Sequence, residues 1–138
     1  MPLQLNLSNT RLCGVWFYCG VSTGTYNAKG ITAIADALRV NGALTSINLS
    51  RGNQLGDEGW GAIFAAICGN KDSKIMSMDV SHENIGPAGV KLIAEALRTS
   101  ITGALTMANL LGNQLDAESA KMLAEVAKQK GISICGIP

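Results

Sequence analysis

Charged side chains are scarce in this sequence. They make up 15% of its 138 residues, against about 25% in an average soluble protein. Basic and acidic residues number 11 and 10, so the formal net charge is only +1. Binding of DNA, RNA or anionic membranes usually requires a concentration of basic residues, and here lysines and arginines are few and scattered. We therefore expect no nucleic acid and no membrane partner.

Long apolar runs are also absent. No stretch of the sequence approaches the roughly 18 consecutive apolar residues that indicate a membrane-spanning helix. The opening residues, MPLQLNLSNT, lack the basic and apolar regions of a secretory signal. Together these absences predict a cytoplasmic protein.

Metal-binding residues are few and badly spaced. Cys13, Cys19, Cys68 and Cys135 form no CxxC pair, and His82 is the only histidine. A zinc site needs a closer cluster, so we expect no metal and no cofactor. Cys13 and Cys19 could form a local disulfide in an oxidising compartment. Without a secretory signal, free thiols are the preferred interpretation.

Motifs of catalysis are missing as well. The stretch GNQLGDEG fits neither glycine-rich phosphate-binding pattern, GxGxxG or GxxxxGK[ST]. His82 falls in a predicted turn beside Glu83, with no nucleophile or metal partner placed near it. We interpret His82 as a surface turn residue, we assign no catalytic residue, and we expect a protein that is not an enzyme.

What the sequence does contain is a repeat. Residues 44–55 read LTSINLSRGNQL, and similar stretches occupy 75–85 and 105–115, with a partial copy at 2–12. Each copy has apolar residues at relative positions 1, 4 and 6 and another at position 11 or 12. This pattern is typical of the strand and turn of a leucine-rich repeat.

A helical pattern follows each of these stretches. In 30–39, 59–68, 89–98 and 119–128, apolar residues recur at the spacing of one helix face. Helices are predicted at about 28–40, 57–68, 87–99 and 117–129, with N-caps at Asn27, Gly56, Gly86 and Asp116. Strands are predicted near 5–7, 46–49, 77–80 and 107–110, and a short fifth one at 132–134.

The predicted fold is α/β, a leucine-rich repeat solenoid of about four repeats. A curved parallel sheet forms its concave side, and helices form its convex side. We assign one domain, 1–138, with repeats at 2–43, 44–74, 75–104 and 105–131 and a partial strand at 132–137. The first repeat is longer than the others because of an insertion at 13–27.

The phrases IADALRVNGALTSINL and GNQLGDEG resemble the ribonuclease-inhibitor-like leucine-rich repeat family, especially repeats of protist, algal and NLR-type proteins. The resemblance implies a fold used for unrelated binding tasks. In this family an asparagine at position 9 bonds to backbone groups of the neighbouring turn. Asn113 matches, Asn53 falls one place late, and Glu83 and Thr10 replace it elsewhere. An irregular asparagine ladder is therefore expected.

The outward positions of the strands are the main candidate binding surface. One interpretation is a small-polar surface that binds a partner. The preferred alternative is a solvated face whose amides bond to each other from strand to strand. Positions 3 and 5 of the four copies are occupied by Gln4, Asn6, Ser46, Asn48, Ser77, Asp79, Met107 and Asn109, and position 7 by Ser8, Ser50, Ser81 and Leu111.

The insertion holds a second candidate site. Trp16, Phe17 and Tyr18 are half of the aromatic residues in the chain. They could form an aromatic contact surface for a partner. The preferred alternative is a plug that covers the apolar flank of the first repeats. Trp60 aligns with apolar helix positions of the other copies and is predicted to pack between helix and sheet.

We expect a non-enzymatic protein–protein interaction module, either whole or a fragment of a longer repeat array. The alternative is a GTPase-activating protein of RanGAP-like type, because RanGAP shares this repeat type. Neither end carries a recognisable polar cap, and Ile132, Ile134 and Ile137 are predicted to leave an apolar surface. We therefore expect the C-terminal edge to be covered by another chain or further repeats, and to support self-association.

Overall fold

A computed structural model describes residues 3–8, 15–18, 21–24, 29–50 and 53–135. For Leu3 and for residues 15–18 and 21–24 it describes the backbone alone. The elements, in chain order, are β1 (Leu3–Asn6), β2 (Val15–Tyr18), β3 (Val21–Gly24), α1 (Lys29–Leu38), β4 (Leu44–Asn48), α2 (Gly56–Cys68), β5 (Ser77–Asp79), α3 (Pro87–Arg98), β6 (Met107–Asn109), α4 (Ala117–Lys130) and β7 (Ser133–Cys135).

The predicted strands and helices are present, and the repeat strands pair in parallel as expected. β1 pairs with β4, and β5, β6 and β7 form a three-stranded sheet in that order. β4 also contacts β5, but the hydrogen-bonded ladder of the described residues is interrupted between them. The described part of the chain is therefore of mixed α/β class, with four helices and parallel repeat strands.

The insertion contains a hairpin that the repeat pattern did not predict. β2 and β3 pair antiparallel, with Tyr18 opposite Val21. Among the described elements they contact each other and no other strand or helix. Valine and aromatic residues favour extended backbone, which accounts for strands in this stretch. The side chains of Trp16, Phe17 and Tyr18, for which a plug and a contact surface were the two interpretations, lie outside the part of the chain that the structure describes.

The core lies between the strands and the helices. Position 6 of the strand pattern is fully buried in each of the last three copies, at Leu49, Val80 and Leu110. Trp60 is also fully buried, within the same core cluster, as its alignment predicted. Burial of such apolar surface is the main favourable term in folding, at about 25 cal/mol per Å².

Neighbouring helices pack side by side, and a glycine sets the closest approach. A Cβ atom at Gly61 of α2 would lie 2.9 Å from the Cβ of Leu92 on α3. No ordinary packing tolerates that distance, so only glycine allows these two helices to lie as close as they do.

The helix starts agree with the prediction at two positions and differ at a third. Gly86 precedes α3, with Pro87 at its first position, and Asp116 caps α4 by accepting from Ser119 N–H at 2.7 Å. Gly56 does not cap α2 but begins it, with φ of +75°. Asn27 lies outside the described residues.

The helices end in different ways. Gly69 ends α2 with φ of −82°, which is not left-handed. Thr99 ends α3, and its backbone N–H and its hydroxyl both donate to the carbonyl of Glu95, at 3.1 and 3.0 Å. A left-handed glycine end occurs at Gly131 of α4, where φ is +69°.

The C-terminal strand is better covered than expected. Ile132 is buried and its N–H donates to the carbonyl of Ala127 at 2.9 Å, so its predicted exposure is wrong. Ile134 is half-buried and Cys135 is exposed, whereas Ile137 lies outside the described residues. Among the described residues, no helix has the length and apolar character that crossing a membrane requires.

Candidate interaction surface

The outward positions of the repeat strands lie in register as predicted. Gln4 pairs with Ser46 and Asn6 with Asn48 across β1 and β4. In the second sheet, two rows run across three strands: Ser77, Met107, Ser133 and Asp79, Asn109, Cys135. We call these residues, together with Leu111, the strand face.

The side chain at position 5 of each repeat strand accepts a hydrogen bond from the residue two positions later in the same repeat. It makes no bond to a neighbouring strand of the described residues. Asn48 Oδ1 accepts from Ser50 N–H at 3.0 Å and from the Ser50 hydroxyl at 2.7 Å. Asp79 Oδ1 does the same with Ser81, at 3.0 and 2.6 Å. The expected bonding of amides from strand to strand is therefore not what orders these side chains.

Asn6 and Asn109 follow the same rule. Asn6 accepts from Ser8, and Asn109 accepts from Leu111 N–H at 3.1 Å. The geometry fixes each side-chain oxygen and leaves the amide Nδ2 of Asn6, Asn48 and Asn109 without a bond to any described residue. The row thus offers donors at fixed positions.

The strand face is not uniformly polar. Met107 is 40% exposed and Leu111 is 50% exposed, at positions where the second and third copies carry serine. Asp79 and Asn109 lie in the row beside them, so β6 presents an apolar surface next to a carboxylate and an amide. Exposed apolar surface of this kind often marks a site of interaction.

Two asparagines support the turns at the end of the strands. Asn53 is fully buried, and its Nδ2 donates to the carbonyls of Leu7 at 2.7 Å and Leu49 at 3.1 Å. Although it falls one place late in the sequence, it makes the contact expected of position 9. The predicted irregularity is wrong at this turn.

Asn113 has the same role one repeat further on. Its Nδ2 donates to Val80 O at 2.7 Å and to Leu110 O at 3.0 Å. Its Oδ1 accepts from the N–H groups of Glu83 and Ile85 at 3.1 and 2.9 Å. The turn that has glutamate at position 9 is therefore ordered by the asparagine of the following repeat.

Two further polar residues, Asn70 and His82, have a structural role and a surface position, respectively. Asn70, which the sequence did not single out, is buried and donates to the carbonyls of Leu38 at 2.9 Å and Asn41 at 2.8 Å. In the sequence, its position directly after the glycine that ends α2 does not distinguish it from a solvated turn residue. His82 lies exposed in a turn with a left-handed backbone, as its surface interpretation predicted.

The thiols differ in environment. Cys68 is buried at the end of α2, and burial raises its pKa, while the Ser100 side chain and Lys130 partly offset the increase. A raised pKa keeps the thiol protonated and unreactive. Cys135 is exposed and free, whereas Cys13 and Cys19 lie outside the described residues. Across the described ranges, no three histidine, cysteine or acidic residues group as metal ligands.

Comparison with known proteins gives a sequence relative and a structural one. The chain is 29% identical to human NACHT, LRR and PYD domains-containing protein 13 over 139 aligned residues. The match covers 81% of this chain and 13% of that protein. This match supports a similarity between the chain and proteins that contain leucine-rich repeats. No family model matches the chain.

One structural relative is the actin-binding site 2 of leiomodin-1. It matches with a TM-score of 0.70 at 16% identity, over 96% of this chain and 69% of that one. At this identity the likeness concerns the fold alone.

Proposed function

We propose that the chain is a ribonuclease-inhibitor-like leucine-rich repeat solenoid that binds another protein through its strand face. The relative that carries leucine-rich repeats supports a protein-interaction module in general terms. The observation that carries the proposal is the exposure of Met107 and Leu111 beside the ordered side chains of Asp79 and Asn109.

The strand face suits a protein partner physically. Asp79 and Asn109 are already held by their own strand, so binding costs little further side-chain entropy there. Covering Met107 and Leu111 removes apolar surface from water, and methionine adapts to partners of different shape. A partner that presents one apolar side chain, with backbone carbonyls for the asparagine donors, matches this arrangement.

The proposal is tested by quantitative affinity capture with two matched variants. Met107→Ser/Leu111→Ser places on β6 the residues that the second and third copies already carry at these positions, so the fold should be retained. Glu125→Ser, a change on the exposed side of α4 and therefore off the strand face, is the control. Proteins retained by the wild type and the control but lost by the double variant support the proposal. Identical capture by all three forms contradicts it.

The alternative of a GTPase-activating protein stays an untested prediction. A single-turnover GTPase assay separates it from the binding module, because a pure binding module leaves the hydrolysis rate of a small GTPase unchanged.

Self-association is a second part of the proposal, and it concerns the side of β7 that pairs with no described strand. Ser133 N–H donates to Thr106 O at 2.8 Å, and Leu110 N–H donates to Cys135 O at 2.9 Å. Backbone groups alternate along a strand, so those of Ile134 face away from β6. An open strand edge with free donors and acceptors is a template for pairing with another chain.

Sedimentation over a concentration series tests this edge. The wild type is expected to form dimers or larger species as concentration rises. Ile134→Pro removes the backbone N–H that faces away from β6. Proline is tolerated at the edge of a sheet, so this variant should shift the equilibrium to monomer. Ile134→Ala keeps the N–H and serves as the control. A wild type that is monomeric at every concentration contradicts the proposed pairing.

A further inference from the structure

Three loops that lead from a helix to the next strand form one edge of the molecule, which we call the loop edge. It comprises 39–43, 69–76 and 99–106. The first two are joined by Asn70, which donates to the carbonyls of Leu38 and Asn41. The second and third are joined by Ile101 N–H, which donates to Cys68 O at 2.9 Å, and by a hydroxyl bond from Thr102 to Ser73 O at 3.3 Å.

The loop edge carries the most exposed large apolar side chains of the described residues. Val40 is 81% exposed, Ile101 63% and Met76 58%. Each belongs to a different one of the three joined loops. Because the backbone of these loops is tied down by buried hydrogen bonds, the side chains sit on an ordered platform. A partner would gain apolar burial there at little cost in loop ordering.

The same edge carries a small excess of unpaired positive charge, because Lys71 and Lys74 outnumber Asp72, the acidic residue of the same loop. The ion pairs of the described residues are Arg39 with Asp36 and Arg98 with Glu95, and neither involves a lysine. Lys71 and Lys74 of the loop edge are exposed and have no acidic partner among the described residues, and the same holds for Lys128 and Lys130 at the end of α4.

Helix dipoles account for only half of these lysines. Lys128 and Lys130 lie in the last turn of α4, where a cation offsets the negative helix end. Lys71 and Lys74 instead lie in the loop after α2, whose last turn has no basic residue. They lie in the loop that also holds Met76 and that Asn70 joins to the loop of Val40.

We propose that the loop edge binds an acidic, amphipathic peptide segment of a partner protein. Carboxylates of the segment pair with Lys71 and Lys74, and its apolar side chains cover Val40, Met76 and Ile101. A nucleic acid backbone would meet the lysines but has no apolar groups for the aliphatic side chains. The net charge of +1 gives little attraction to a membrane surface, which favours the peptide.

Fluorescence anisotropy with a synthetic probe tests this inference. The probe is a labelled helical peptide with glutamates on one face and leucines on the other. A peptide with lysines in place of the glutamates is the charge control. The wild type should bind the acidic peptide, with an affinity that falls as salt rises. Lys71→Glu/Lys74→Glu and Val40→Ser/Ile101→Ser should each weaken binding about tenfold, a loss of about 1.4 kcal/mol.

The strand-face variant Met107→Ser/Leu111→Ser should bind this probe as the wild type does. That result separates the loop edge from the strand face, so either can fail alone. Circular dichroism of every variant excludes loss of fold as the cause. Equal binding of the basic peptide, no binding of the acidic one, or tighter binding to vesicles of phosphatidylcholine and phosphatidylserine overturns the proposal.

Discussion

The carboxylate of Asp57, in the first turn of α2, accepts a hydrogen bond from the backbone N–H of Gly86 at 3.0 Å. Gly86 is the residue that precedes α3, and it has no side chain with which to cap that helix. One helix therefore supplies the cap of the next. The two helices are linked at their N-terminal ends by a single side chain.

Asp57→Ala should destabilise the fold by about 0.5–2 kcal/mol, the usual effect of losing a helix cap. Asp57→Asn keeps a side-chain oxygen and should lose less. Glu58→Ala, an exposed change at the neighbouring position, is the control and should be close to neutral. Urea unfolding monitored by circular dichroism measures all three. Equal losses at positions 57 and 58 would count against the cap.

Asn113→Ala should be more costly, because it leaves several backbone groups without partners. Each orphaned buried group costs about 1–3 kcal/mol. Asn113→Asp keeps the acceptor for Glu83 N–H and Ile85 N–H but removes the donor to Val80 O and Leu110 O. An intermediate loss is therefore expected. Lys121→Ala, an exposed change on α4, is the control. Similar unfolding midpoints for Asn113→Ala and the control would show that the ladder contributes little.

Leu49→Ala should destabilise by about 2–5 kcal/mol, the usual range for a large-to-small change in a core. Leu49 is 1% exposed and belongs to the central cluster. Asn48→Ala, one residue earlier on the outer face, should cost about 0.5–1.5 kcal/mol, because it removes the bonds to Ser50. Guanidinium unfolding of both variants gives the comparison. Equal losses of unfolding free energy in the two variants would contradict the placement of Leu49 in the core.

Asp116 should make stability depend on acid pH. The bond from Ser119 N–H lowers the pKa of Asp116 below the value in the unfolded chain, which is about 3.9. The ionised cap therefore stabilises the fold fully above that value, and its contribution is lost as pH falls through the folded pKa. Asp116→Asn keeps a neutral acceptor and lacks this dependence.

Thermal unfolding of the wild type and Asp116→Asn across an acid pH series measures the difference. The wild type should be the more stable at neutral pH, and the gap should close as the solution becomes strongly acidic. A gap that stays constant with pH would mean that Asp116 contributes nothing through its charge.

The elements of the fold could be predicted because their signal is local. The buried residues Leu49, Val80 and Leu110 could be recognised from the spacing of apolar residues a few positions apart. The apolar faces of the helices were recognised in the same way. The hairpin of β2 and β3 was missed because the insertion occurs once, and no second copy reveals its pattern.

The supporting residues could not be predicted because their partners come from another repeat. Asn70 bonds to Leu38, 32 positions away, and Asp57 bonds to Gly86, 29 positions away. Nothing in the sequence alone distinguishes such a residue from an ordinary solvated one. For Asn53 the sequence pattern was misleading in the opposite direction. Its position is one residue late in the repeat, but its side chain still reaches the neighbouring turn.

The strand face is tested most directly by site-specific photo-crosslinking. A photoreactive residue at position 107 is compared with one at position 125, on the exposed side of α4. The account predicts a discrete crosslinked protein from position 107. Excess unlabelled wild type should suppress it, and excess Met107→Ser/Leu111→Ser should not. Crosslinks from position 125 alone, or equal suppression by both competitors, would contradict binding through the strand face.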